Sequence, residues 1–419
     1  MEITEELMYY LWNTRRFDHK ALTTLDGEAL EILQYGNRNG SSGPDFINAA
    51  IRTAGLQWHG NIEMHVCTSD WKKHRHHTDG AYENVILHVV WQHDVDVTEG
   101  KVPILELSPR VEHHLIDQYN KLRASVSWLA CESLLNPEKL QVMALWRDVL
   151  VVERLQRKVT GQVENLAKEA ATDWDSLVYR LMVCYLAGKE NRACGELVSQ
   201  RLTLTILDRN AQSPNDILAL FLGTGACLDE VKNVDFREKL DQSFRHLSRK
   251  YDLIPINKAS WRRFGMRASG MPLKRMAQIA AVFAAKTRYF HELIACRDME
   301  AMKKILPENL PEETDWREIL PSKTLLSKPQ QEMLLINVLL PVWFYYHHQI
   351  HGQSTSLSIF DMMAKLPPED NAICSRYKKL AFPVQSALDS QALLELRSQY
   401  CEPKRCIACR IGQQFFSGQ

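Results

Sequence analysis

The sequence predicts an α+β protein: an N-terminal mixed α/β domain with a central sheet, followed by a larger all-α domain. Three observations carry that expectation. Short apolar and β-branched runs, separated by turn residues, crowd the N-terminal part. From about residue 112 the apolar spacing changes to a period of 3.6, and strand signals become scarce. A chain of 419 residues with 45% hydrophobic residues can bury more than one core. The expected division is 1–118 for a nuclease-like α/β domain and 119–419 for a helical domain ending in a cysteine cluster.

The elements follow in order. Residues 3–12 read as a short helix, and Ala29–Tyr35 as a strand. Asn37–Gly43 is a loop of Gly, Asn and Ser. Phe46–Thr53 and Gly60–Cys67 are strands joined through a turn at Ala54-Gly55. Asp70 to about His77 is a helix candidate. Val85–Trp91 is almost continuously apolar, as a central strand buried on both faces should be. Val102–Leu107 is a further short strand. Helices are then expected over Lys139–Ala171, Asp173–Leu186, Glu196–Leu202, Pro214–Gly223, Phe236–Tyr251, Lys274–Lys286 and Gln330–His348.

Composition excludes several classes. Lys+Arg and Asp+Glu are 51 each, so zero net charge argues against a histone-like, tail-driven binder of polyanions. The apolar content is too high for general disorder. The longest apolar stretch, Leu334–Tyr346, includes Asn337 and Pro341 and is too short to span a bilayer. The N-terminus lacks the basic flank, apolar run and cleavage site of a signal peptide. A cytoplasmic protein is expected. In a reducing compartment its 10 cysteines serve metal, redox or packing roles rather than disulfides.

The sharpest local signal is Gly43-Pro44-Asp45-Phe46 followed by Gly60-Asn61-Ile62-Glu63-Met64-His65. Alternate side chains of a strand share a face, so Glu63 and His65 point together while Ile62 and Met64 point into a core. Asp45 sits where a turn feeds a strand. If the two strands are adjacent, Asp45 and Glu63 converge. Two carboxylates and an imidazole suit a divalent ion such as Mg²⁺ or Mn²⁺. The next segment, Asp70-Trp71-Lys72-Lys73-His74-Arg75-His76-His77, is dense in imidazole and positive charge. His74 or His77 could reach the same pocket and contact a phosphate or metal, and the sequence does not choose between them.

This arrangement resembles the core of the PD-(D/E)XK nuclease superfamily. The resemblance implies that Asp45 matches the aspartate and Glu63 the second acid. The order helix, three strands, helix, strand is similar as well. His65 stands where that superfamily has its lysine, so it would act as a ligand or orient the attacking water.

Cys401, Cys406 and Cys409 have the spacing C-x4-C-x2-C, which can wrap a metal. Three thiolates lack one ligand, and Cys131 is the first candidate for the fourth. Zinc and an iron–sulfur cluster are both open. Between Leu253 and His291 lie eight basic residues and no Asp or Glu. Arg262, Arg263 and Arg267 surround Trp261 and Phe264, and Lys274 and Arg275 open a helix. Arginine interleaved with aromatic rings suits phosphate and stacked bases, so this window is a candidate nucleic-acid contact.

Several phrases together resemble an uncharacterised bacterial family, domain of unknown function 2851. They are Gly43-Pro44-Asp45-Phe46, Trp58-His59-Gly60-Asn61-Ile62-Glu63-Met64-His65, Asp70-Trp71 with His74 and His76, and Tyr82 with Val85-Ile86-Leu87-His88-Val89-Val90. Val152-Glu153-Arg154-Leu155, Leu366-Pro367-Pro368-Glu369-Asp370-Asn371, Ser390-Gln391-Ala392-Leu393-Leu394 and the tail from Tyr400-Cys401 to Gly412 extend the likeness along the chain. Arg75 departs from the family pattern where a small residue such as Gly is expected, and Ala130 departs where Pro is expected.

The leading expectation is a divalent-metal-dependent nuclease, or a nuclease-like nucleic-acid-binding protein, with Asp45, Glu63 and His65 at its centre. One alternative is an adaptor that keeps the shape without the chemistry. Another is a metal-dependent hydrolase of a small phosphorylated substrate.

Overall fold

The computed structural model describes residues 3–39, 42–95, 102–164, 166, 173–312, 314–322, 324–352 and 356–416. Two units emerge from the internal contacts. The first is Met1–Trp146 with Leu396–Gln419, and the second is Arg147–Glu395.

The first unit opens with α1 (Glu5–Asn13), whose N-cap Thr4 accepts a hydrogen bond from the Leu7 N–H. Its apolar stripe buries Leu7, Met8, Leu11 and Trp12. The strands are β1 (Leu22–Thr23), β2 (Ala29–Gln34), β3 (Asn37–Arg38), β4 (Phe46–Thr53), β5 (Leu56–Cys67), β6 (Val85–Gln92) and β7 (Ile104–Glu106). The sheet order is β1-β2-β4-β5-β6-β7, with β3 paired to β4. The pairings among β1 to β5 are antiparallel, whereas β5, β6 and β7 are mutually parallel.

Ala54 and Gly55 explain the β4–β5 hairpin. Their φ values are 49° and 73°. Two successive positive φ values make a turn whose twist matches the flanking strands. The parallel β5–β6 pair needs a crossover. It is built from α2 (Asp70–Lys73) and two short turns, His76–Thr78 and Gly80–Tyr82. β6 is buried along Val85–Trp91, as expected for a strand covered on both faces.

The helix expected over Asp70–His77 stops at Lys73. Arg75 takes a left-handed backbone angle, φ 60°, and no helix continues through such a residue. This one break decides which histidines meet the sheet.

The division differs from the expected 1–118 and 119–419. α3 (His113–Ala124) and the C-terminal segment both belong to the first unit. Cys406, Ile407 and Phe416 join the same apolar core as α1 and the sheet. Helical periodicity marks these segments as helical but says nothing of which core they cover.

The second unit is built of helices. Trp174–Leu186, Pro214–Thr224 and Pro272–Ala285 bury residues almost all round, as central helices must. The helix expected over Gln330–His348 runs as Lys328–Leu334 and Leu340–Phe344, with π-type turns at Leu335–Leu339 and Tyr345–Ile350. Pro341 lies within it and has no N–H to donate, and the widened turn accommodates that loss. The helix expected over Lys139–Ala171 is α4 (Pro137–Lys158), followed by a π-type turn at Val159–Val163. Residues 165 and 167–172 of that expectation lie outside the described residues. Among the described residues, no helix is long and apolar enough to cross a membrane.

Candidate metal centre

The register Phe46↔Ile62 brings the start of β4 against the middle of β5. Asp45 therefore faces Glu63 and Met64 across the hairpin. The Asp45 N–H donates to Glu63 Oε2 at 3.0 Å, and the Met64 N–H donates to Asp45 Oδ2 at 3.0 Å. Arg38 Nη1 donates to Asp45 Oδ1, also at 3.0 Å. Both carboxylate oxygens of Asp45 are thus engaged by the protein itself. Of the expected trio, Glu63 Oε1 lies 3.7 Å from His65 Nε2, and Asp45 meets Glu63 through its backbone N–H. Among the described residues, the potential ligands whose donor atoms all lie within 4.8 Å of one another are His65, His74 and His76.

His65 comes from β5, and His74 and His76 come from the crossover. His65 Nε2 lies 3.1 Å from His74 Nδ1. His65 Nδ1 lies 2.9 Å from His88 Nε2, on the neighbouring strand β6. His76 Nε2 is 3.3 Å from Glu63 Oε1, and His65 Nε2 is 3.7 Å from the same oxygen. His76 Nε2 is buried and makes no aligned hydrogen bond, so its approach to Glu63 is one of charge and distance only. Tyr82 lies tilted over the His76 ring at 3.8 Å between centroids, and Trp71 packs edge-on against His65 and His76. His74 is exposed, so solvent reaches the cluster from its side.

Burial sets the electrostatics. It pushes the Glu63 carboxyl up to about 8, with the nearby charge of Asp45 adding to the rise. It pushes the His65 imidazolium down to about 3, with His88, His76 and His74 adding to the fall. His88 falls to about 4, again mainly through burial. His76 is lowered for the same leading reason, and Asp45 is raised by burial. The site thus sheds net charge: neutral imidazoles stand beside a carboxyl that retains its proton. Neutral imidazole, with its free lone pair, is the form that ligates a metal. A bound cation would favour ionised Glu63.

The sequence expectation named His74 or His77, and the structure brings His74 and His76 to His65. His77 is exposed. Helical spacing would have put His74 and His77 on one face. The left-handed turn at Arg75 changes the phase and swings His76 inward. The signal that could have found it was Arg75 itself, at a position where a small residue such as Gly was expected. His88 was expected as a core histidine, and it is 3% exposed and bonded to His65.

The basic window is largely neutralised within the second unit. Arg262 pairs with Glu190 at 2.6 Å and Arg263 with Glu230 at 2.7 Å. Lys258 pairs with Asp229, Lys286 with Glu292, and Arg288 with Asp208. Trp261 is buried and donates its indole N–H to the Gly225 carbonyl at 2.7 Å, so it is no stacking platform. Glu190, Asp208, Asp229 and Glu230 come from earlier stretches of the sequence, and Glu292 lies just past the end of the window. Arg267, Lys274 and Arg275 instead line a cavity of about 600 Å³. Cys131, Cys401, Cys406 and Cys409 all lie in the first unit.

A family model described as "Protein of unknown function (DUF2851)" matches residues 5–372. That span contains the histidine cluster and stops short of the cysteine tail. No curated protein and no solved structure matches the chain.

Proposed function

The chain belongs to the DUF2851 family, of unknown function, and we propose that it is a metal-dependent hydrolase of phosphodiesters, acting from the histidine cluster of its first unit. One observation carries this reading: three imidazoles within 4.8 Å of one another, with the Glu63 carboxyl beside two of them. An imidazole-rich set suits a transition ion such as Zn²⁺ or Mn²⁺ better than Mg²⁺. Such an ion, when bound, supplies a nucleophilic water at neutral pH and offsets charge developing on the phosphoryl group. His65, His74 and His76 would hold it. Glu63 lies close enough to take the proton of the attacking water or to complete the ligand set. Asp45 serves as a positioning residue, because it fixes the β4–β5 junction through the Met64 N–H.

The substrate class follows from charge. Lys72, Lys73 and Arg75 are exposed on the segment that carries His74 and His76, with Lys73 paired to Asp70 at 2.7 Å. A cationic rim attracts phosphate groups. Helix α1, the antiparallel strands β1 to β5, the helical crossover and the parallel strand β6 are also compatible with the nuclease-like resemblance.

The test is hydrolysis of single- and double-stranded DNA and RNA, and of a small phosphodiester, with Mn²⁺, Zn²⁺ or Mg²⁺. Cleavage that falls by about 10²–10⁴-fold in Glu63→Gln supports the reading. Cleavage undiminished in both Glu63→Gln and His76→Ala, or absent throughout, rejects it. Turnover of the small ester alone favours a small phosphorylated substrate over a polymer.

A second reading is a non-catalytic scaffold. The imidazole–imidazole hydrogen bonds of 2.9 and 3.1 Å favour it, because they satisfy His65 without an ion. Failure of the protein to retain any divalent ion in equilibrium dialysis would support it.

A further inference from the structure

We propose that Cys131, Cys401, Cys406 and Cys409 ligate a four-iron iron–sulfur cluster that fastens the C-terminal segment to the turn after α3. The proposal is independent of the histidine centre.

The four thiols come from two distant stretches that are stitched together around them. Arg397 Nη1 donates to the Trp128 carbonyl at 2.6 Å, and its guanidinium lies 4.7 Å from the centroid of the Trp128 ring. Lys404 Nζ donates to the Arg123 carbonyl at 2.6 Å. Tyr400 meets Trp146 edge-on at 4.9 Å between centroids. Cys131 and Ala130 pack on the apolar core that includes Cys406, Ile407 and Phe416.

The tail is shaped around its sulfurs. Lys404 takes a left-handed turn at φ 55°, and its N–H donates to the Cys401 carbonyl. The Arg405 carbonyl accepts from the Ala408 and Cys409 N–H groups. Helix Arg410–Phe416 then starts so close to Cys406 that a Cβ on Gly412 would collide with the Cys406 carbonyl. The backbone N–H groups of Ile411 and Gly412 lie near the Cys409 sulfur. Backbone N–H groups aimed at sulfur are how proteins stabilise and tune cluster thiolates.

The thiols are neighbours of one another. Cys131 feels Cys401 and Cys406, Cys406 feels Cys401, and Cys409 feels Cys401 and Cys131. Each of these contacts raises a thiol pKa, and burial raises Cys131 to about 12 and Cys406 to about 11. Cys406 and Cys409 are buried, and Cys131 and Cys401 are partly buried. Metal ligation takes up such thiols as thiolates and releases their protons to solvent. Lys404, Arg405 and Arg410 interleave the tail cysteines and suit the anionic character of a thiolate-bound cluster.

Spacing decides between the two metal groups. A tetrahedral zinc with bonds of about 2.3 Å holds its sulfurs about 3.8 Å apart. Among the described residues, no three cysteine sulfurs lie within 4.8 Å of one another. At least one sulfur pair in any three is therefore wider than a single zinc would hold it, and four thiolates are the set that a four-iron cluster takes.

The experiment uses the full chain, purified without oxygen. Iron, zinc and acid-labile sulfide are measured together with the visible spectrum. Brown protein with about four irons and four sulfides per chain is expected. Stoichiometric zinc without sulfide, or a metal-free tail, overturns the proposal. Cys131→Ala is expected to lose most of the sulfide, while Cys67→Ala in the same unit keeps it. Should Cys131→Ala fail to fold, wild-type protein stripped of metal is reconstituted with ferrous iron and sulfide. Recovery of the spectrum supports the cluster, and no recovery overturns it. His76→Ala leaves the sulfide content unchanged, because an ion on imidazoles brings none, so failure here and failure of the hydrolase reading are told apart.

Discussion

His65 Nδ1 lies 2.9 Å from His88 Nε2, where parallel pairing sets Glu63 level with His88. With Nδ1 as the donor, His65 keeps the lone pair of Nε2 for the cluster. A ligating histidine is usually oriented through its other ring nitrogen in this way. His88→Leu is therefore expected to weaken zinc or cobalt binding by about 10–100-fold. His88→Gln, whose side-chain oxygen can accept the same proton, is expected to recover part of the loss. Competition against a coloured chelator measures both. Unchanged affinity in His88→Leu would mean that packing alone orients His65.

His76 and His77 separate two geometries. A continuous helix through the segment would make His77 the ligand, whereas the left-handed turn makes it His76. His76→Ala is expected to abolish binding of one divalent ion, and His77→Ala to leave it intact. The reverse pattern in equilibrium dialysis would reject the observed crossover.

Arg75 holds φ 60° with a full side chain. Left-handed backbone costs a residue with a Cβ on the order of 1 kcal/mol, and glycine escapes most of it. Arg75→Gly is expected to raise the urea midpoint by an amount worth about 0.5–1 kcal/mol. Arg75→Val is expected to lower it, because a β-branched residue tolerates that angle least. A midpoint that falls in Arg75→Gly would mean that the arginine side chain contributes more than its backbone costs.

Lys158 supplies a pH test in the second unit. It is buried, and its Nζ donates to Asn337 Oδ1 at 2.9 Å and Gln391 Oε1 at 3.0 Å. Burial, aided by Arg154, takes its pKa well below the ordinary 10.5. Between that depressed value and 10.5 the unfolded chain binds a proton that the folded chain does not. Lower pH therefore favours unfolding, and stability rises with pH through the window. Lys158→Met is expected to remove this slope and to leave the Asn337 oxygen unpaired, at a cost of about 1–3 kcal/mol. The destabilisation should be larger near pH 10 than near pH 7, read by urea unfolding at each. An identical difference at both pH values would show that Lys158 is protonated when folded.

The strands of the first unit were legible because each carries its own local signal. Ala54-Gly55 marks a hairpin, and the run Val85–Trp91 marks a strand covered on both faces. Asp45 and Glu63 were legible as neighbours, since a hairpin of that length brings them together. Their roles were not, because the Met64 N–H and Arg38 that occupy Asp45 belong to the three-dimensional arrangement. The ion pairs of the basic window were not legible for the same reason: Glu190, Asp208, Asp229 and Glu230 lie outside it in sequence.

What the sequence determined by itself was local: the α+β order, the turn residues, the gathering of imidazoles after β5, and the C-x4-C-x2-C spacing. Those features follow from backbone preferences and residue period, which act over a few residues. Tertiary structure decided which groups share a site. A single left-handed residue chose His76 over His77. A C-terminal segment that buries Ile407 and Phe416 in the first core brought three cysteines to Cys131. Burial and ion pairing are properties of what surrounds a side chain, and the partners that surround these side chains are far away along the chain.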